Sequence, residues 1–153
     1  MFQNIFGFQR NGSAWDFAFT QEWPAPDVQH QLSYTVPFSG VAGQTGIGDV
    51  MLNYRYQLLM EDPGYPAISP RLSVILPTGS EAFSQNSLGL QANLPVSKQH
   101  GDLYLHGNAG FTWYPRAGTS DTGKLSLVSP FLAASGIYRV RPMFNLMLES
   151  VLE

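Results

Sequence analysis

The sequence has no cysteine, few charges and no helical spacing. Without cysteine it has no disulfide framework and no thiolate metal site. Asp, Glu, Lys and Arg make up only 12% of the 153 residues, about half the usual share, so few charged groups are available to cover a water-exposed surface. The net charge is −3 and no block of Lys or Arg occurs, which argues against nucleic acid as a partner.

Long apolar runs are also absent. No run approaches the ~20 residues that a membrane-spanning helix requires. The opening residues 1–6 lack the positive region and the apolar core of a secretory signal. Membrane-spanning strands need no such apolar run, because half of their residues are polar and their mean hydropathy stays near zero even in lipid. An outer-membrane protein must first cross the inner membrane, so we expect its precursor to carry a secretory signal that this numbering omits.

What the sequence does contain is two-residue alternation. In residues 49–58 the apolar side chains are Val50, Leu52, Tyr54, Tyr56 and Leu58, and polar side chains occupy most positions between them. The pattern recurs between turn residues and predicts an all-β fold, an antiparallel up-and-down transmembrane β-barrel. We predict nine strands, at 2–9, 14–23, 28–38, 49–58, 67–76, 88–96, 102–114, 125–140 and 143 to the end.

The predicted connections alternate in length. Long loops are expected at 39–48, 77–87 and 115–124, and shorter turns at 61–66, 97–101 and 141–142. Because bacterial outer-membrane barrels have short periplasmic turns and long external loops, this parity places the N-terminus on the periplasmic side. The glycine-rich segment 40–48 lacks the Lys and Ser/Thr of a phosphate-binding loop and is interpreted as a flexible surface loop.

Nine up-and-down strands would leave the two termini on opposite sides of a membrane. Single-chain bacterial barrels have an even number of strands. We therefore expect residues 1–153 to form a single β-barrel domain that is part of a larger even-stranded barrel, with further strands after Glu153.

Several motifs resemble one known family. They are Gln21-Glu22-Trp23-Pro24 followed by Gln29-His30-Gln31-Leu32-Ser33-Tyr34, then Gly46-Ile47-Gly48-Asp49 before a strand containing Tyr54-Arg55-Tyr56, and Leu76-Pro77-Thr78-Gly79 closing the next. In order and spacing, over most of the chain, they are similar to the outer-membrane transporter-like family associated with the meta-pathway of phenol degradation. The resemblance implies a β-barrel channel for small, often aromatic or hydrophobic molecules, in a protein longer than this chain.

If the apolar faces meet lipid, the polar faces line the lumen. The predicted lining residues are Asp16, Glu22, Asp49, Asn53, Arg55, Gln57, Arg71, Gln91, Asn93, Tyr104, His106, Asn108 and Glu149. This mixed-sign lining suits a water-filled or hydrogen-bonded interior. Arg55 and Arg71 lie on consecutive strands within reach of Asp49, Glu22 or Asp16, and either a bracing salt-bridge cluster or a selectivity site fits that placement.

Catalysis and metal binding have weaker support. His106, with Asn108 and a serine such as Ser73 or Ser97, is the only nucleophilic set to consider, and a hydrogen-bonded wall histidine is the simpler interpretation. His30, His100 and His106 lack metal-ligand spacing. We expect no enzyme activity, no cofactor and no metal.

Aromatic residues complete the prediction. Those sharing the apolar faces are Trp15, Trp23, Tyr34, Phe38, Tyr54, Tyr56, Trp113 and Tyr138. Near strand ends such rings suit a headgroup girdle. We favour a channel or transporter for small molecules in the outer membrane of a Gram-negative bacterium, in contact with outer-membrane lipid and lipopolysaccharide. A soluble lipocalin-like carrier, with the same rings pointing inward, is the alternative; a lipid-modifying outer-membrane enzyme is the third.

Overall fold

The computed structural model describes residues 2–120 and 123–152, which form a single antiparallel sheet without helices. The alternating sequence suits a pleated layer, because successive side chains of a strand point to opposite faces. The strands are β1 (Gln3–Asn11), β2 (Ala14–Pro24), β3 (His30–Val41), β4 (Gln44–Ile47), β5 (Val50–Tyr56), β6 (Ala67–Ile68), β7 (Arg71–Leu76), β8 (Gly89–His100), β9 (Leu103–Ser120), β10 (Gly123–Arg141) and β11 (Phe144–Leu152). No helix in these ranges is long and apolar enough to cross a membrane.

Nine of the strands succeed one another across the sheet in chain order. The path runs β1, β2, β3, β5, β7, β8, β9, β10, β11, with β4 paired to β3 and β6 paired to β8. The sheet curves into a half-barrel. Because neighbours on this path are antiparallel, β1 and β11 run in the same direction, and within the described ranges neither pairs with the other.

The nine predicted strands are confirmed as elements, with one interruption. The predicted strand 67–76 is divided into β6 and β7 at Ser69 and Pro70. Both pieces keep the same register against β8, and Ser69 N–H donates to the Pro95 carbonyl at 3.2 Å. Pro70 and Pro95 have no N–H, so the ladder cannot be completed between the two pieces.

Two of the predicted loops and one predicted turn are wrong. The predicted turn 97–101 is mostly strand, because β8 extends to His100. Segment 40–48 is a hairpin between β3 and β4, in which Ala42 and Gly43 take positive φ values of 52° and 84°, as tight hairpin turns require. The predicted loop 115–124 is largely strand, because β9 extends to Ser120 and β10 begins at Gly123; residues 121 and 122 lie outside the described ranges. Segment 77–87 is confirmed as a loop without strand pairing.

Burial is inverted relative to a water-soluble core. Among the described residues, Ile75 is the buried hydrophobic residue, whereas Ser33, Asp49, Asn53, Ser73 and Ser87 are buried polar ones. Asn53 is 4% exposed, while its chain neighbours Leu52 and Tyr54, on the opposite face, are 48% and 37% exposed. In a single curved layer the better shielded face is the concave one, so the polar face lies on the inside of the half-barrel.

Candidate functional site

A row of polar side chains crosses eight strands on the inner face. Directly paired positions share a face of a sheet, and the register joins them in one line. The row consists of Gln3, Glu22, Ser33, Asn53, Ser73, Gln91, Thr112 and Ser129. Every member is polar, so a continuous hydrophilic band crosses the inner face from β1 to β10.

Asn53 connects the centre of this row. Its amide nitrogen donates to Ser33 Oγ at 3.1 Å and, more weakly, to Thr35 Oγ1 at 3.4 Å, and its amide oxygen accepts from Ser73 Oγ at 2.7 Å. Further along the row, Gln91 Nε2 donates to Thr112 Oγ1 at 2.9 Å. These bonds offset the cost of burying polar groups.

All of the predicted lining residues fall on this inner face. The register places together Asp16, Glu22, Asn53, Arg55, Arg71, Gln91, Asn93, Tyr104, His106, Asn108 and Glu149, with Asp49 and Gln57 continuing the alternation at the two ends of β5. They form no single cluster, because they spread over six strands. Tyr104, for example, contacts Arg139, whose guanidinium lies above the Tyr104 ring, 5.2 Å from the ring centroid.

The expected pairing of arginines with carboxylates is not formed. Within the described ranges neither Arg55 nor Arg71 has a carboxylate within 4.0 Å, and the ion pair present is Lys98 with Glu61. The carboxylates have other partners. Asp16 accepts from Ser39 Oγ at 2.7 Å, and Glu22 accepts from Gln31 Nε2 at 2.6 Å.

Asp49 binds the backbone of the loop 77–87. Its two carboxylate oxygens accept from Gly79 N–H and Gln85 N–H, each at 3.0 Å. Thr78 Oγ1 accepts from Val50 N–H at 3.0 Å, and Ser80 N–H donates to the Ile47 carbonyl at 2.8 Å. The loop 77–87 is therefore held against the start of β5 by several hydrogen bonds.

The loop lies over the inner face and not away from it. Gly46, which pairs with Ser39 on that face, has the Ser80 hydroxyl and the Phe83 ring where a Cβ would stand. At Gly79 a Cβ would be 2.9 Å from the Gly48 carbonyl carbon and 3.0 Å from Asp49 Oδ1. Both positions therefore require glycine for the loop to pack so closely.

The outer face carries the aromatic residues. The register puts the predicted rings Trp15, Trp23, Tyr34, Phe38, Tyr54, Tyr56, Trp113 and Tyr138 on that face. Ring contacts run along β1 to β3, with Phe6 and Phe19 centroids 5.3 Å apart and Trp23 and Tyr34 centroids 6.2 Å apart. His30 Nδ1 and Tyr54 Oη share a hydrogen bond of 2.6 Å at the opposite end of β3 from the loop 77–87.

His106 is bonded to a serine, but the arrangement lacks a third group. His106 Nδ1 and Ser97 Oγ share a hydrogen bond of 2.9 Å on directly paired positions of β9 and β8. Within the described ranges no carboxylate lies within 4.0 Å of His106 and no cluster of metal-ligating side chains occurs. A nucleophilic serine requires a base that is itself oriented by a partner. Without one, this pair is a hydrogen bond that links two neighbouring strands.

The attachment of the loop was missed by sequence reasoning. Asp49 was predicted as a lining residue, but the groups that it binds are the backbone N–H groups of Gly79 and Gln85, 30 and 36 residues further along the chain. A backbone group is present in almost every residue, so the sequence does not show which one is bound. Two motifs do indicate this region: Gly46-Ile47-Gly48-Asp49 and Leu76-Pro77-Thr78-Gly79 are separate in the sequence. In the structure they form one unit, joined by Asp49 and Gly79 and by the paired positions Val50 and Leu76.

No protein-family model matches the sequence, and no curated protein matches it. The features that define the class of protein are those of the sheet itself: its polar inner face, its apolar outer face and the loop bound at one end.

Proposed function

We propose that this sheet is part of the wall of a transmembrane β-barrel in the outer membrane of a Gram-negative bacterium, and that the barrel passes small molecules through a polar lumen. The observation that carries the proposal is the inverted burial: Asn53 is shielded, while Leu52 and Tyr54 on either side of it are exposed. Lipid is the solvent in which an exposed apolar face and a hydrogen-bonded polar interior are both favourable.

The same observation disfavours the soluble lipocalin-like carrier. Such a carrier needs an apolar concave face to hold its ligand and a polar convex face to meet water. Here the shielded positions Ser33, Asn53 and Ser73 are polar, and the opposite face exposes large residues such as Leu72, at 61%. A lipid-modifying enzyme gains no support from the His106 and Ser97 pair, for want of a third group.

A complete barrel would need more strands than these nine. Because β1 and β11 run in the same direction, antiparallel closure requires an odd number of additional strands between them, which gives an even total. The proposal therefore includes a larger even-stranded barrel. The motif resemblance supports the same class, and it extends the proposal to small aromatic or hydrophobic solutes.

Single-channel recording of the complete protein in planar lipid bilayers tests the function. We expect stepwise conductance increases in KCl. Thr112→Trp, which adds a large ring to the inner face, should lower the step size, whereas Phe111→Trp, on the adjacent outer position, should leave it unchanged. A folded, inserted protein without conductance steps, or equal effects of the two variants, would overturn the proposal.

A further inference from the structure

Two arginines face each other directly on the inner wall. Arg55 of β5 and Arg71 of β7 are paired positions in the register, which places their Cβ atoms about 5 Å apart. Like charges directly opposite one another are destabilising. Their row continues on one side to Gln31 and on the other to Asn93.

The Arg71 guanidinium has a buried donor without an acceptor among the described residues. Arg71 Nε is buried and has no hydrogen-bond partner in the described ranges, and no carboxylate there lies within 4.0 Å of either guanidinium. Glu22 is close by but is bonded to Gln31 at 2.6 Å. A buried guanidinium N–H without an acceptor is costly, so an external acceptor would stabilise the pair.

Two further unpartnered polar atoms and an apolar surface lie beside the arginine pair. Asn93 Oδ1 and Asn108 Oδ1 are also buried without partners in the described ranges. Beyond Asn93 the row reaches Gly110 and Phe131, and the Phe131 ring stands where a Cβ of Gly110 would be. A ligand headgroup at the arginines would therefore have an aromatic side chain a short distance along the same row.

We propose that Arg55 and Arg71 form a binding site for a small organic carboxylate with an apolar body, on the path of the solute; this rests on the proposed transport function. One planar guanidinium fork matches the geometry of one carboxylate, and a second guanidinium opposite it can donate to the remaining carboxylate lone pairs. With Glu22 beside them the group has one net positive charge, which fits a monoanion better than a dianion. Phe131 provides the contact for the apolar body.

Current block by benzoate tests the site, with benzamide as the neutral analogue of the same shape. In planar bilayers containing the complete protein in KCl, we expect benzoate to interrupt the current in a concentration-dependent manner and benzamide to have little effect. Arg55→Gln and Arg71→Gln should each raise the benzoate dissociation constant about fivefold, the upper end of the effect of losing one exposed ion pair. Arg139→Gln, which removes an arginine from the same face of β10, should leave benzoate block in place.

The outcomes separate the two proposals. A channel that conducts but is blocked equally by benzoate and benzamide, or whose block is unchanged in Arg55→Gln and Arg71→Gln, overturns the carboxylate site and leaves the channel standing. A protein that gives no conductance overturns both. Loss of benzoate block in Arg139→Gln to the same extent would show a general effect of charge and also overturn the site.

Discussion

At the level of single residues, Asn53 shows how polar side chains stabilise the inner face. It uses both ends of its amide, donating to Ser33 and accepting from Ser73, and each of these three residues is buried. An amide side chain has separate donor and acceptor ends, so it can bond to two flanking hydroxyls at once. The network therefore ties β3, β5 and β7 together through side chains as well as through the backbone.

We predict that Asn53→Leu lowers the free energy of unfolding by about 1–3 kcal/mol, because the buried hydroxyls of Ser33 and Ser73 lose their partner. Urea unfolding of the complete protein in lipid vesicles, followed by tryptophan fluorescence, measures the change. Leu52→Val on the adjacent outer position is the control and should have a smaller effect. A more stable Asn53→Leu protein would mean that this face is an ordinary apolar core position.

At the level of elements, the loop 77–87 is a connection that packs against the inner face, at β4 and the start of β5. Strand pairing does not hold it, since no ladder includes residues 77–87. Its position depends on Asp49, whose carboxylate takes two backbone N–H groups, and on glycines that let Ser80 and Phe83 pack against β4. One side chain at the start of β5 thus positions a loop that follows β7.

We predict that Asp49→Ala releases this loop, because Gly79 N–H and Gln85 N–H lose their charged acceptor. Charge-assisted hydrogen bonds contribute about 1.5–3 kcal/mol, so amide hydrogen exchange across 77–87 should become at least tenfold faster. Asp16→Ala provides the matched control, since it removes a carboxylate of the same face whose hydrogen-bond partner among the described residues is Ser39, not the loop. Unchanged exchange in Asp49→Ala would show that the loop is held by other contacts.

The sheet of the whole molecule was largely predictable, because alternation depends only on neighbouring residues. Leu52, Asn53 and Tyr54 assign their own faces, and repetition of that pattern gives nine strands in order. Contacts between distant segments were not predictable in the same way. The partner of Asp49 is a backbone group, the hairpin around Ala42 and Gly43 resembles a loop in composition, and the break at Ser69 and Pro70 depends on Pro95 in another strand.

The pairing of Arg55 with Arg71 illustrates the same limit at the candidate site. The sequence placed both arginines on one face of consecutive strands, but it did not give the register that sets them opposite each other. It also could not show that Glu22, Asp16 and Asp49 are bonded elsewhere. Like-charge pairing was therefore visible only once the strands had been aligned.

The orientation of the two faces is the central claim, and single-cysteine labelling tests it most directly, since the chain has no cysteine of its own. Arg55→Cys lies on the inner face and Leu72→Cys on the outer face, one strand apart. In outer membranes containing the complete protein, we predict that a membrane-impermeant thiol reagent labels position 55 and that a lipid-soluble reagent labels position 72. Labelling of position 72 by the impermeant reagent, or recovery of both variants in a water-soluble fraction, would contradict the account.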